Sequence, residues 1–205
     1  RRLHLPTYSF DRRPRGDALP EPGPDTTTPE AAEPTVAELY RTIAELERPE
    51  FKEGFLTFFP LLEKRPGFSI TRVSLHPEDH PAEVALIREK QRESRRVLLS
   101  AVDFDTVDHM VDFGCGYVGD SADLAQADPS LKADGYTITP AQAKAGAARI
   151  EAEGLADRVT VYERDSTKDV FPNRYDVALG VEVTCHIEDK DDLFRNLTSA
   201  LKPDG

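Results

Sequence analysis

The sequence predicts an α/β fold built on a parallel sheet, and three observations predict it. Short apolar runs at 107–113, 132–138, 159–163 and 175–181 alternate with helical patterns at about 120–127, 140–153 and 190–201. Repeated strand–helix alternation makes βαβ units, whose right-handed crossovers put helices on both sheet faces. A glycine-rich turn, Gly114-Cys115-Gly116-Tyr117-Val118-Gly119, joins the first run to the first of these helices. The chain has 205 residues, 39% of them hydrophobic and 31% charged, enough for one domain with a core.

The residues before this alternation read differently. Sixteen prolines are spread unevenly. The stretch at about 14–34, rich in Pro, Glu, Asp and Thr, buries too little apolar surface to offset its ordering entropy and is expected to be a flexible linker. Thr35 followed by Glu38 fits a capping box, and Val36, Leu39, Tyr40, Ile43 and Leu46 then recur at helical spacing. A Phe-dense stretch follows at 50–62. A further helix is expected from Pro81, with Val84, Ile87, Val97 and Leu98 as its apolar positions and the charges between Arg88 and Arg96 mostly on a solvated face. His76, Asp79 and His80 lie among prolines and are expected to cap that helix, so no metal site is predicted.

Charge and composition remove several function classes. The formal net charge of -12 disfavours nucleic-acid binding, which needs a basic face. No stretch approaches the roughly 20 apolar residues of a membrane span. Cys115 and Cys185 make no disulfide framework and suit a reducing, cytoplasmic compartment. The start, Arg1-Arg2-Leu3-His4, has neither an initiator Met nor an apolar signal core, and residues 201–205 form a helix stop where a further strand would be expected. The expectation is a piece of a longer chain with an unfinished sheet, one that folds poorly by itself.

The turn after the first run can be read in two ways. Gly114, Gly116 and Gly119 fit the G-x-G-x-x-G of a dinucleotide site, but no carboxylate ends the second run to hold ribose hydroxyls. With Asp112 the segment instead resembles the D-x-G-x-G signature of S-adenosylmethionine-dependent methyltransferases, which often carry a third glycine where Val118 stands. Residues 135–142 resemble the T-x-S-x-x-Q run of cyclopropane-synthase-like methyltransferases. Residues 90–194 look like the methyltransferase domains embedded in type I polyketide synthases, nearest to the O-methylating type. Residues 2–13 resemble the "LPTYPF" segment that follows the acyltransferase region of those synthases, with Ser9 where Pro is usual.

The resemblance implies a Rossmann-like class I methyltransferase fold. Its parts would be a post-acyltransferase linker at 1–16, a Pro-rich linker at 17–34, a helical lid at 35–106 and the N-terminal part of the core at 107–205. It implies S-adenosylmethionine as cofactor, held by Asp112, Gly114, Cys115, Gly116, Thr137, Ile138, Gln142, Asp165, Ser166 and Glu182. Thr137 and Gln142 would face the ribose and Asp165 the adenine amino group. His186, in the loop after the fourth run, is a candidate general base, with Glu182 to orient it. His186 as a packing residue and Asp165 as the cap of its own turn stand beside these readings. The implied activity is methylation of a hydroxyl or enol oxygen on an intermediate carried by an acyl carrier protein, next to other synthase domains. Methylation at the α-carbon and a catalytically silent domain are the alternatives.

Overall fold

A computed structural model describes Glu38, Arg41 and residues 66–205. Glu38 and Arg41 are helical. The two linkers, the remainder of the helix expected from Thr35 and the Phe-dense stretch lie outside the described residues.

Helix α1 spans Ile70–Leu75, capped by Ser69, whose hydroxyl accepts from the Arg72 amide. Helix α2 spans Pro81–Leu99, with Pro81 supplying a pre-set φ at the first helical position. Strand β1 (His109–Phe113), helix α3 (Gly119–Ala127), β2 (Lys132–Thr137), α4 (Pro140–Ala152), β3 (Val159–Glu163), β4 (Val177–Leu179) and α5 (Lys190–Ala200) follow. The sheet is wholly parallel, in the order β3-β2-β1-β4.

Side chains alternate across this sheet with period two, so each face has its own core. Met110, Ala133 and Val159 pack with Val118, Ala122, Ala125 and Ile150 beneath α3 and α4. Val111, Phe113 and Tyr136 pack with Phe171, Tyr175 and Leu193, Leu197 and Ala200 of α5 on the other face. Leu193, Leu197 and Ala200 are four and three residues apart, which puts one apolar stripe of α5 on the sheet. Asp189 accepts the Asp192 amide at 2.8 Å and starts that helix. Arg158 donates to the Ala125 carbonyl and, at 3.1 Å, to that of Asp128, closing the end of α3.

Four expectations are corrected here. The first strand begins at His109, because Val107 closes a 3₁₀ turn at Phe104–Thr106. The fourth keeps only Val177–Leu179, since Tyr175 leaves the ladder to bridge Leu201. On α2, Val97 and Leu98 are 71% and 50% exposed, whereas Gln91 and Arg95 are buried. His80 is the N-cap residue of α2 but its side chain makes no capping bond. His76, Glu78 and Asp79 place potential ligand atoms within 4.8 Å of one another, all exposed. No helix among the described residues is long and apolar enough to cross a membrane.

Candidate functional site

A parallel sheet points every strand's carboxyl end the same way, and the predicted site residues sit at those ends. At the end of β1 the chain turns sharply. Gly114 has φ 78° and Gly116 φ 54°, values that glycine adopts without a Cβ penalty. Val118, at the N-cap of α3, is also left-handed, with φ 61° and no solvent exposure. A β-branched residue there is strained by about 1–3 kcal/mol. This is the position where the resembled family often has glycine, and the backbone shows why.

Asp112 is buried at the end of β1 and accepts the Ser121 hydroxyl at 2.9 Å. Burial pushes its carboxyl up to about 7; the negative Asp120 adds to this, while Ser121 and Arg95 oppose it. The Gly114 and Cys115 amides both donate to the Tyr136 carbonyl, at 2.8 and 2.9 Å. They are spent on the sheet and are not offered to a ligand, which narrows any anion contact to Gly116, Tyr117 and the first amides of α3. The Cys115 side chain is buried: a Cβ at Gly135 would stand 2.9 Å from its Sγ. Burial raises its thiol pKa, and Asp112 adds to the effect.

At the end of β2, Thr137 and Gln142 are both buried and bond each other, Oγ1 to Oε1, at 2.8 Å. Gln142 is therefore no solvated first-turn residue. Ile138 is 43% exposed. Thr139, which the sequence reading passed over as a helix start, is buried with its hydroxyl unpartnered among the described residues. The signal was its place immediately before Pro140, at the N-cap of α4, where a hydroxyl normally caps.

After β3, Asp165 accepts the Thr167 amide and hydroxyl at 2.9 and 2.6 Å and lies 3.3 Å from Lys168 Nζ. Burial pulls its carboxyl up, but Thr167 and Lys168 outweigh that and hold it below the usual range. It caps its own turn. Ser166 is buried, and its carbonyl and that of Asp169 both accept Asn196 Nδ2 at 2.8 Å, so α5 fixes this loop.

The loop after β4 interlocks with the β1 turn. A Cβ on Gly114 would stand 2.1 Å from Val183 Cγ2, and one on Gly180 would stand 2.1 Å from the Phe113 ring. The space beside Gly114 is thus filled by a loop side chain, not left open to a ligand as the sequence reading implied. Glu182 has φ 56° and is exposed; His186 closes a 3₁₀ turn at Thr184–His186 and is exposed. Val118 and Glu182 are the non-glycine residues with positive φ among the described residues, and both lie in these two facing loops. The structure brings Glu182 and His186 into one loop next to Gly114, while Cys115 and Gln142 have their side chains inside the fold.

Residues 111–205 match a family described as "Methyltransferase domain". The chain is 40% identical over 191 residues to the polyketide synthase ThaQ of Burkholderia thailandensis, covering 93% of this chain and 9% of ThaQ. It is 44% identical, with a TM-score of 0.71, to the O-methyltransferase of a trans-AT polyketide synthase multienzyme of Brevibacillus brevis, solved with S-adenosyl-L-homocysteine; the match covers 73% of this chain and 50% of that one. A structure of the StiE O-methyltransferase is 42% identical with a TM-score of 0.70, covering 72% of this chain and 53% of that one. The chain therefore spans about half the length of these solved relatives. Residues 111–205 thus match the methyltransferase-domain family, and through most of its length the chain is similar to a stretch of a polyketide synthase.

Proposed function

We propose that the chain is an S-adenosylmethionine-dependent O-methyltransferase. Its acceptor is a hydroxyl or enol oxygen on a polyketide intermediate tethered to an acyl carrier protein, and it works beside other synthase domains. The observation that carries this reading is the meeting of four strand ends on one edge of the sheet: the β1 turn, the Thr137–Gln142 pair, the Asp165 turn and the Glu182–His186 loop. The match to an O-methyltransferase solved with the demethylated cofactor supports it.

The residues present fit such a cofactor. A left-handed glycine at 116 leaves the turn without a side chain at that position, the Cys115, Tyr117 and Val118 side chains being buried, and Asp112 is a buried acid suited to a cationic amine. When bound, S-adenosylmethionine supplies an electrophilic methyl on a sulfonium. Asp112 holds the amine end. The Thr137–Gln142 pair would hold the ribose and Asp165 the adenine, exchanging part of its turn bonding. His186 accepts the acceptor's hydroxyl proton as the oxygen attacks, and Glu182 orients its ring. Positioning the oxygen in line with the methyl and excluding water do the rest. No covalent enzyme intermediate is needed.

The test is intact-mass analysis of a β-hydroxyacyl carrier protein incubated with the protein and S-adenosylmethionine. A gain of one methyl, placed on oxygen by fragmentation, is expected. Methyl on the α-carbon would replace the oxygen assignment, and no transfer by a protein that binds the cofactor would mark a silent domain. His186→Ala should keep cofactor affinity and lower transfer by roughly 10²–10⁴; transfer at the wild-type rate would make His186 a packing residue.

A further inference from the structure

Helix α2 carries a charge that its sequence pattern disguises. Arg95 lies in a run of charged residues, yet its side chain is only 8% exposed. Its Nε donates to Asp120 Oδ1 at 2.5 Å, and its Nη1 lies 3.5 Å from the Gln91 carbonyl of its own helix. Asp120 is the second residue of α3, and the next residue, Ser121, is the donor to Asp112. Two successive residues of one helical turn therefore reach in two directions. Asp120 ties α3 back to α2, and Ser121 ties it to the acid at the end of β1.

Asp112 is buried and Asp120 largely so, and burial raises both carboxyls; Asp120 adds to the rise of Asp112 and Asp123 to that of Asp120, with Arg95 acting against each. Asp123, further along α3, faces Arg149 of α4 and Arg92 of α2, with Glu153 opposing them. The Cys115 thiol faces Asp112 and is held neutral by burial. Among the described residues, Arg95 is the cation that acts on both Asp112 and Asp120.

We propose that Arg95 is a positioning residue of the cofactor turn: by clamping Asp120 it fixes the first turn of α3, and its positive charge favours the anionic form of Asp112 that would meet the cationic amine of the methyl donor. The proposal rests on the methyl-donor reading and adds a residue of the preceding helix to it. Arg95 acts through Asp120 and Ser121. The dependence has a definite sign. Without Arg95, Asp112 should ionise only at higher pH; without Asp120, at lower pH.

The test is calorimetric titration of S-adenosyl-L-homocysteine, which carries the same amine, into the wild type, Arg95→Gln and Asp120→Asn at about pH 6, 7 and 8.5. Ratios to the wild type at each pH remove the ligand's own ionisation. Arg95→Gln should bind about tenfold or more weakly than the wild type at the lowest pH and recover towards it at the highest, the size expected when an opposite charge moves a carboxyl by one unit or more. Asp120→Asn should move the acid limb the other way. A uniform loss at every pH, or shifts of the same sign in both variants, would reduce Arg95 to a structural residue and overturn the proposal. Should Arg95→Gln fail to fold, Asp120→Asn decides alone: an acid limb moved to lower pH supports the proposal and an unmoved one overturns it. A wild type that does not bind sinks the methyl-donor reading and this proposal together, whereas a binding wild type with unmoved profiles sinks this proposal only.

Discussion

Adjacent strands of the sheet carry two buried aspartates, Asp112 on β1 and Asp134 on β2, 3% and 4% exposed. They point to opposite faces and their carboxyls move in opposite directions. Asp134 accepts Tyr175 Oη at 2.7 Å and Asn173 Nδ2 at 2.8 Å, and lies 3.3 Å from His109 Nε2. Burial pulls its carboxyl up, but these three donors outweigh burial and hold it below the usual range. Asp112 has the Ser121 hydroxyl and a like charge nearby, and rises. Both side chains have little exposed surface, but Asp112 lies deeper in the protein and has fewer donors aimed at its anion, and the two differences together set the signs. A carboxylate whose acceptors are filled holds a fold together. One left short of donors is available to a ligand.

The sharpest way to break this contrast is to remove the well-satisfied acid. Asp134→Ala strands the Tyr175 hydroxyl, itself fully buried, together with the Asn173 amide and His109. Urea unfolding should show a loss of about 3–5 kcal/mol, the cost of breaking a buried charged network. A loss below about 1 kcal/mol would mean the network is relaxed in solution.

A smaller effect is expected at the functional end. Gly114→Ala combines a φ of 78° with a Cβ 2.1 Å from Val183. It should destabilise by about 2 kcal/mol, with the backbone and the clash both contributing. Adding Val183→Ala removes the 2.1 Å contact but leaves the Cβ of residue 183 at 2.6 Å and the backbone strain, so the double variant should recover only part of the loss. Full recovery would show that the left-handed backbone carries no cost.

The contrast also appears in pH dependence. The folded pKa of Asp134 is depressed, so its stabilisation is complete above the unfolded carboxyl's value of about 3.9 and is lost as pH falls through the lower folded value. Asp112 is raised to about 7, so it costs stability increasingly as pH climbs from about 4 to that value. In thermal unfolding from pH 3 to 8, Asp134→Asn should flatten the acid limb and Asp112→Asn should raise the neutral limb. Parallel curves for both variants would erase the distinction.

The strands were readable because each apolar run is bounded by turn residues and needs no distant partner to be recognised; β3 coincides with its predicted span, Val159–Glu163. The glycine turn was readable for the same local reason, and Val118 was flagged as the position where a glycine is missed. Arg95 was not readable. Its burial depends on Asp120, 25 residues further on, and nothing in the α2 pattern separates it from its solvated neighbours. Asp134 interrupts a strand, a signal in itself, but its donors Asn173 and Tyr175 lie 39 and 41 residues away. The filling of Gly114's vacant side by Val183 is likewise a contact between two strand ends that only the parallel register brings together.

The measurement that bears most directly on the central claim is the affinity of Asp112→Asn for S-adenosyl-L-homocysteine, set beside its stability to urea. The amide keeps the shape and an oxygen for Ser121 but removes the charge. Affinity should fall at least about tenfold, as expected for losing a charge-assisted contact, while stability at pH 7 holds or rises. Wild-type affinity in Asp112→Asn would contradict the placing of the cofactor's amine at the end of β1.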